Sequence, residues 1–468
     1  MINYQHAILH FAAAFVLSLL LVPAAMVFAR KIGAVEMGGY RKVNKKPIPL
    51  LGGLAIAVPY LIVLVLGRLQ ILSLHSFLSS QDLTVLLIGT SLILLLGIID
   101  DSKEIRARYK LIGQLLATSV IFLSPNFIVT KISLPWFGLI NLGFGLGAFL
   151  SFMWVLALIN AFNLIDGLDG LASGVALIAI LTMLGLDFFA TNNINILFVV
   201  LAATILAFLF YNFNPAKVFL GDTGSMFLGY TMAILTLLFS HKSGVVVTII
   251  APLLALSFPI LEMAISIFRR LLRGAPVFTS DGAHTHHKLL NLGYSQRKVV
   301  LLIYLVSAIF GISAILMQVL PEQMIFIAFI LVVVNVSFLI WLAGYLSPHR
   351  FVGLVESRQN NILLNSLATY ANTSLRRSIN VNDFGAIKYV LKLCMREMYL
   401  NYLSVQLKNN EKTIFVYGGV SRGHSVEEIQ TKLFGDETLI ITYQLSAWLQ
   451  NDDLAKRHTA ACLVAIFS

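Results

Sequence analysis

The stretch TVLLIGTSLILLLGIIDDSKEIRARYK (residues 84–110) holds in miniature the pattern that organises this chain. An uncharged run (84–99) ends on two adjacent aspartates, Asp100 and Asp101, and then on Lys103, Arg106, Arg108 and Lys110. Such a run reads as a helix crossing hydrocarbon, where water is absent and the backbone must satisfy itself. Carboxylates at its edge are costly, so their placement points to chemistry. Adjacent carboxylates repel, and one takes up a proton or shares a cation. The bases beside them suit a phosphate. The plain alternative is a solvated loop whose basic residues only set topology.

The pattern repeats outward. Apolar runs lie at about 7–29, 50–67, 84–99, 109–124, 142–160, 170–187, 194–211, 222–240, 245–268, 298–317 and 324–346. They predict an all-α polytopic membrane protein with about eleven transmembrane helices over residues 1–346. The 468-residue chain is 58% hydrophobic and only 12% charged, where a soluble domain carries about 25%. The first run begins near Ala7 without a small-residue cleavage pattern and reads as a span, not a removed signal peptide. The loops at 30–49, 100–110, 160–170, 212–222 and 268–298 carry 17 Lys and Arg, against three on the other side, Arg68, Lys131 and Lys242. This bias puts the first set in the cytoplasm and the N-terminus outside. The net charge of +11 therefore sits in membrane loops and the tail, and no nucleic-acid partner is expected.

Six of the eight aspartates before residue 349 fall in that basic set of loops: Asp100, Asp101, Asp166, Asp169, Asp222 and Asp281. In NAFNLIDGLDGLASG (160–174), Asn160, Asn163, Asp166 and Asp169 offer oxygen ligands of the kind Mg²⁺ prefers. Asp169 alone also reads as a helix cap. In YNFNPAKVFLGDTGS (211–225), Asp222 opens a span, where a carboxylate also serves as a cap. Lys217, Asn212 and Asn214 stand ready for a phosphate or sugar. The long loop RRLLRGAPVFTSDGAHTHHKLLNLGYSQRK (269–298) holds Asp281, His284, His286 and His287. Zinc is one reading, but the spacing is not that of a helical His-x-x-x-His site. Arg269, Arg270 and Arg273 suggest phosphate instead, with a solvated basic face as the alternative. In RKIGAVEMGGYRKVNKKPIPLLGG (30–53) the basic residues serve topology, and Gly52 and Gly53 allow tight packing. The external segment NFIVTKISLPWFG (126–138) alternates and predicts a short β-hairpin.

GIIDDSKEIRARYK, NAFNLIDGLDGLASG, VFLGDTGS and SDGAHTHHKLLNLGYS, in this order and spacing, resemble the polyprenyl-phosphate N-acetylhexosamine-1-phosphate transferases over about residues 1–346. The D-x-x-H-x-H-H form is more similar to the N-acetylglucosamine-1-phosphate branch than to the muramoyl-pentapeptide branch, which usually carries three consecutive histidines. The resemblance implies transfer of a sugar-1-phosphate from a UDP-N-acetylhexosamine to a polyprenyl phosphate such as undecaprenyl phosphate. UMP is released, Mg²⁺ (or Mn²⁺) is required, and a homodimer is common. Asp222 then resembles the main metal ligand, with Asn163 and Asp166 near metal and nucleotide. Asp100 resembles the carboxylate beside the lipid phosphate, and Asp101 its partner. Lys103 resembles a phosphate-binding base, and His284, His286 and His287 the segment over the UDP-sugar. With Asn160, Asp169, Lys217, Arg270 and Asp281 they complete the candidate substrate set. Asn44 departs from the pattern, which often has histidine there.

Residues 347–468 change in composition. They predict a small cytoplasmic α+β region, with helices near 355–378, 382–408 and 426–434 and strands at 412–419 and 437–445. Cys394 and Cys462, both here, form neither a disulfide framework nor a metal motif. A transporter or flippase is the rival class. Transporters, however, place polar groups at mid-membrane, whereas these carboxylates lie at span ends. Glu262 is the main acidic residue inside a span.

Overall fold

The computed structural model describes residues 4–36, 47–72, 78–103, 105–134, 138–191, 194–242, 250–273, 284–321 and 324–342, and four strands between 400 and 445. Thirteen helices lie among the described residues. They are α1 (Tyr4–Ile32), α2 (Gly53–Arg68), α3 (Ser80–Lys103), α4 (Ala107–Ser119), α5 (Gly143–Ile165), α6 (Leu171–Thr191), α7 (Ile196–Asn212), α8 (Gly221–Lys242), α9 (Ile250–Ala255), α10 (Ser257–Arg273), α11 (Thr285–Asn291), α12 (Gln296–Val319) and α13 (Ile325–Leu342). Five of them, α1, α3, α5, α6 and α12, are long and apolar enough to cross a membrane. Large apolar side chains on α1, α4, α5 and α13 face outward, among them Leu20, Leu116, Phe149 and Phe329. That is the surface of a multi-pass membrane protein, whose outer face meets lipid.

Each expected apolar run contains a helix, with two corrections. The run at 245–268 is not one helix. Pro259 has no N–H to give the carbonyl of Ala255, and the chain turns at Leu256 between α9 and α10. The run at 109–124 is helical only to Ser119; a 3₁₀ turn, Val120–Leu123, follows. Ser124 precedes Pro125 and is extended (φ −140°, ψ 129°), as proline demands of its predecessor.

The strands β1 (Val35–Glu36) and β2 (Ile48–Pro49) pair at the base of the first loop. The expected hairpin is present as β3 (Lys131–Leu134) against β4 (Gly138–Asn141), antiparallel, with Lys131 opposite Asn141. At the start of α3, Ser79 and Asp82 form a capping box: the Ser79 N–H donates to Asp82 Oδ2 (2.9 Å) and the Asp82 N–H to Ser79 Oγ (3.1 Å). Ser124 Oγ (2.7 Å) and Asn126 Nδ2 also donate to Asp82. This buried carboxylate, at the end of α3 remote from Asp100, is structural.

The core is held by close backbone crossings, the usual device where hydrocarbon surrounds the helices and small residues let them approach. A Cβ at Gly53 would lie 2.2 Å from Gly224 Cα, and one at Gly97 2.4 Å from Thr223 Cα. The tight packing expected of Gly52 and Gly53 is therefore against α8. Gly52 and Gly53 donate their N–H groups to the carbonyls of Phe219 (3.0 Å) and Leu220 (3.1 Å).

The chain divides into two compact units, Met1–Phe268 with Phe278–Ser347, and Arg269–Val277 with Pro348–Ser468. In the second, β5 (Leu400–Leu407), β6 (Thr413–Gly418), β7 (Glu427–Lys432) and β8 (Thr438–Leu445) form an antiparallel sheet in the order β6-β5-β8-β7. Two tail expectations are corrected. Residues 427–432 form a strand, not a helix, and so do residues 400–407, the end of the helix expected to reach 408. Pairing on both edges of β8 decides this; ladder partners override local helix preference. The expected helix 355–378, and the rest of 382–408, lie outside the described residues.

Candidate active site

The site is built where α3 ends and α8 begins. Gly221, at φ +71°, turns the chain into α8. The first N–H groups of a helix have no partner within it, and here α3 supplies one. Asp101 Oδ1 accepts the Asp222 N–H (2.8 Å), while Oδ2 accepts the Thr223 N–H (2.9 Å) and its hydroxyl (2.6 Å). Asp101 thus caps a foreign helix with both oxygens. A Cβ at Gly221 would sit 2.6 Å from that carboxylate, so glycine is needed for space as well as for φ.

Capped this way, Asp222 projects toward α4 and α5. Its Oδ2 pairs with Lys110 Nζ, and its Oδ1 accepts from Asn163 Nδ2. Asn163 Nδ2 also donates to Ser225 Oγ (3.1 Å). Lys110 Nζ reaches Asp100 Oδ2 at 2.9 Å and Asn163 Oδ1 at 3.3 Å. Three oxygens, from Asp100, Asn163 and Asp222, therefore converge on one ammonium. Asp100 Oδ1 accepts the Ile105 N–H (3.0 Å) and closes the loop after α3. The Asp100 side chain is 7% exposed and that of Asp222 30%, so Asp222 is the carboxylate open to a ligand.

Asp166 ends α5, half-buried. Burial and then the fields of Asp222 and Asp101 push its carboxyl well above the usual range. Asp169 does not cap α6. It is buried, and its Oδ2 accepts from Asn214 Nδ2 (2.9 Å) and the Ala216 N–H (3.0 Å), bracing the loop before α8. Asn212 Oδ1 accepts from the Gly170 N–H (3.1 Å) and Ser173 Oγ (2.8 Å), so the acidic loops of α5–α6 and α7–α8 are stitched together. Asn160 Nδ2 donates to Gln114 Oε1 (3.0 Å) and the Leu156 carbonyl (2.8 Å).

The His segment reaches the same end of the bundle. A Cβ at Gly167, next to Asp166, would lie 2.7 Å from His286 Nε2. The His286 and His287 rings are 4.5 Å apart. Burial, then neighbouring His287, pushes the His286 imidazole down to about 3, so it stays neutral. Lys103 and Lys217 are exposed, and Arg270 lies half-buried in the C-terminal part of α10. Asp281 lies outside the described residues.

A family model described as Glycosyl transferase family 4 matches residues 83–240. The chain is 38% identical over 335 residues to the probable undecaprenyl-phosphate N-acetylglucosaminyl 1-phosphate transferase of Bacillus subtilis, covering 68% of this chain and 88% of that protein. The chain belongs to glycosyl transferase family 4. It is also 32% identical over 309 residues to the decaprenyl-phosphate N-acetylglucosaminephosphotransferase of Mycobacterium leprae (62% of this chain, 78% of that protein). With the undecaprenyl-phosphate alpha-N-acetylglucosaminyl 1-phosphate transferase of Salmonella typhi it shares 27% over 330 residues (68% and 86%).

The segment of this family-4 chain matched by the family model contains Asp100, Lys110, Asn163 and Asp222. Among the described residues, no three His, Cys, Asp or Glu side chains group as a protein-only metal cage. The donor set instead suits Mg²⁺, which typically takes one or two carboxylates and completes its shell with water and substrate phosphates. Oxygens that already converge on a cation, Lys110 Nζ, are the right chemistry for it. Sequence reasoning missed Lys110 as a site residue, having read it only as one of four bases. Helical phase was the available signal, because it sits one turn into α4 with Gln114 and Ala117 on the buried face. Nothing in the sequence singled out Thr223 or Ser225.

Proposed function

We propose that this chain transfers N-acetylglucosamine-1-phosphate from UDP-N-acetylglucosamine to a polyprenyl phosphate, commonly undecaprenyl phosphate, at the cytoplasmic face of a bacterial membrane. The names of its relatives support the polyprenyl-phosphate acceptor and the N-acetylglucosamine-1-phosphate group; the UDP donor is what the motif resemblance implies. The observation that carries the chemistry is the half-buried Asp222 carboxylate, anchored through Asp101 and flanked by Lys110 and Asn163. The Lys and Arg bias of the loops supports an N-terminus outside and, with about eleven crossings, a cytoplasmic tail.

In the reaction an oxygen of the lipid phosphate attacks the β-phosphorus of the UDP-sugar. The bond from that phosphorus to the bridging oxygen breaks, and UMP leaves with the electron pair. A metal such as Mg²⁺ held by Asp222 and Asn163, with Asp166 alongside, would neutralise charge on the diphosphate. The protein's own work is positioning and charge placement, as in other phosphoryl transfers. Lys110 brings a fixed positive charge to the point where the phosphates meet. Asp100 stands beside it to take a proton from the lipid phosphate. A phosphate monoester has a second pKa of about 6, so much of the lipid is already dianionic and alignment matters more than base strength. Lys103 and Lys217 draw the anionic substrates, and His286 and His287 close over the sugar nucleotide.

The test is purified protein in detergent with Mg²⁺, undecaprenyl phosphate and a panel of UDP-sugars, with UMP as the readout. UMP should appear only when lipid phosphate and UDP-N-acetylglucosamine are both present. No UMP with any UDP-sugar overturns the reading. A stoichiometric burst without lipid phosphate replaces direct attack with a covalent aspartyl intermediate.

A further inference from the structure

Glu262 is a buried acidic side chain for which the chemistry above has no use. It lies in the second turn of α10, 3% exposed, and a buried carboxylate persists only where partners hold it. Its Oε1 accepts the Thr285 N–H at 2.7 Å, and His284 Nδ1 lies 3.6 Å from the same oxygen. Thr285 is the first residue of α11, the helix that carries His286 and His287. The residue before it, His284, makes no side-chain cap. A helix start that lacks its own cap, buried at Thr285 (3% exposed) and His286 (1%), needs an acceptor from elsewhere. Glu262 provides it, as Asp101 does for α8. Gly167 packs close to the His286 ring, where a Cβ would lie 2.7 Å from Nε2.

We propose that Glu262 is a positioning residue that pins the His284–His287 segment to α10 and so holds His286 and His287 over the sugar nucleotide. The inference rests on the UDP-sugar reading of that segment. It separates Glu262 from the residues that meet phosphate: its loss should weaken capture of the nucleotide sugar and leave the lipid side alone.

Three full-length variants test it. Glu262→Ala removes the acceptor. Glu262→Gln keeps an oxygen for the Thr285 N–H. Thr285→Pro removes the donor while fitting a first helical position, because His284 already has the extended backbone (φ −62°, ψ 153°) that precedes proline. Glu262→Ala and Thr285→Pro should each raise KM for UDP-N-acetylglucosamine about tenfold, the scale of one hydrogen bond to a charged group. Their kcat and the KM for undecaprenyl phosphate should stay close to wild type, and Glu262→Gln should rescue the loss. The second readout is independent of activity: modification of His286 and His287 by diethyl pyrocarbonate, followed by mass spectrometry in substrate-free protein. Labelling should be low in wild type and Glu262→Gln, and severalfold higher in the other two. Unchanged labelling in Thr285→Pro and Glu262→Ala overturns the proposal, and so does freed labelling with an unmoved KM for the UDP-sugar. A wild-type protein that releases no UMP sinks the functional reading instead, while the labelling arm still reports on the pin.

Discussion

Lys110 and Asp222 show how one residue's worth depends on its neighbours. With its ammonium removed, Asp100 and Asp222 face each other uncompensated at a partly buried point, and breaking such a pair costs about 3 kcal/mol. Lys110→Ala should therefore lower the unfolding temperature in detergent markedly. Lys110→Ala/Asp222→Ala should recover part of that loss, a coupling that a double-mutant cycle reads directly. Asp222→Ala alone should abolish UMP release while the protein remains folded; full activity with saturating Mg²⁺ removes it as the metal ligand. His286 predicts a pH effect with a definite sign. An unfolded imidazole takes a proton below about 6.5, whereas the folded His286 resists protonation down to about 3. Between these values the unfolded chain binds more protons, so stability falls as pH falls, by about 1–2 kcal/mol from pH 6.5 to 5. His286→Gln should flatten that slope in melting curves taken at pH 7 and pH 5.

At the scale of elements, the site depends on how α8 starts. Its first turn is fixed by Gly221, by the Asp101 cap and by backbone contact with α2 and α3 at Gly53 and Gly97. Gly221→Ala meets two obstacles, a φ of +71° and a carboxylate oxygen 2.6 Å from the new Cβ. The left-handed backbone alone costs about 1–2 kcal/mol. We expect UMP release to fall more than the melting temperature does, because Asp222 is the first side chain displaced. The acidic loops were legible in the sequence because hydrocarbon tolerates so few charges; their positions alone brought Asp100, Asp101, Asn163 and Asp222 onto one list. What each does was not legible. Asp101, expected among the reacting carboxylates, caps α8; Asp169, expected among the substrate-binding oxygens with a helix cap as the alternative, braces the 214–216 loop; and Lys110, expected only as one of four bases suited to a phosphate, joins Asp100 to Asp222. Those roles depend on which helices touch, and a linear apolar pattern carries no such information.

For the molecule as a whole, the membrane unit was readable because its rule is simple: apolar runs of about 20 residues must be helices. The misreadings lie at Leu256, where Pro259 withdraws a donor, and beyond Ser119, where the chain tightens into a 3₁₀ turn ahead of the extended Ser124 that Pro125 demands. The tail follows no such rule. Segments such as EEIQTK carry no decisive period, and only pairing with β8 makes this one a strand. The division of labour between the two units yields the last prediction. Asp100, Asp101, Lys110, Asn163, Asp166, Asp222, Glu262 and His286 all belong to the first unit, and the family model ends at residue 240. Deleting residues 348–468 should therefore leave UMP release per folded molecule within about twofold of the full chain, a difference of under 0.5 kcal/mol in the barrier. If instead the truncated protein stays monodisperse yet loses its turnover, the sheet of the second unit is part of the catalytic apparatus. The assignment of the chemistry to the helix ends of the first unit would then be incomplete.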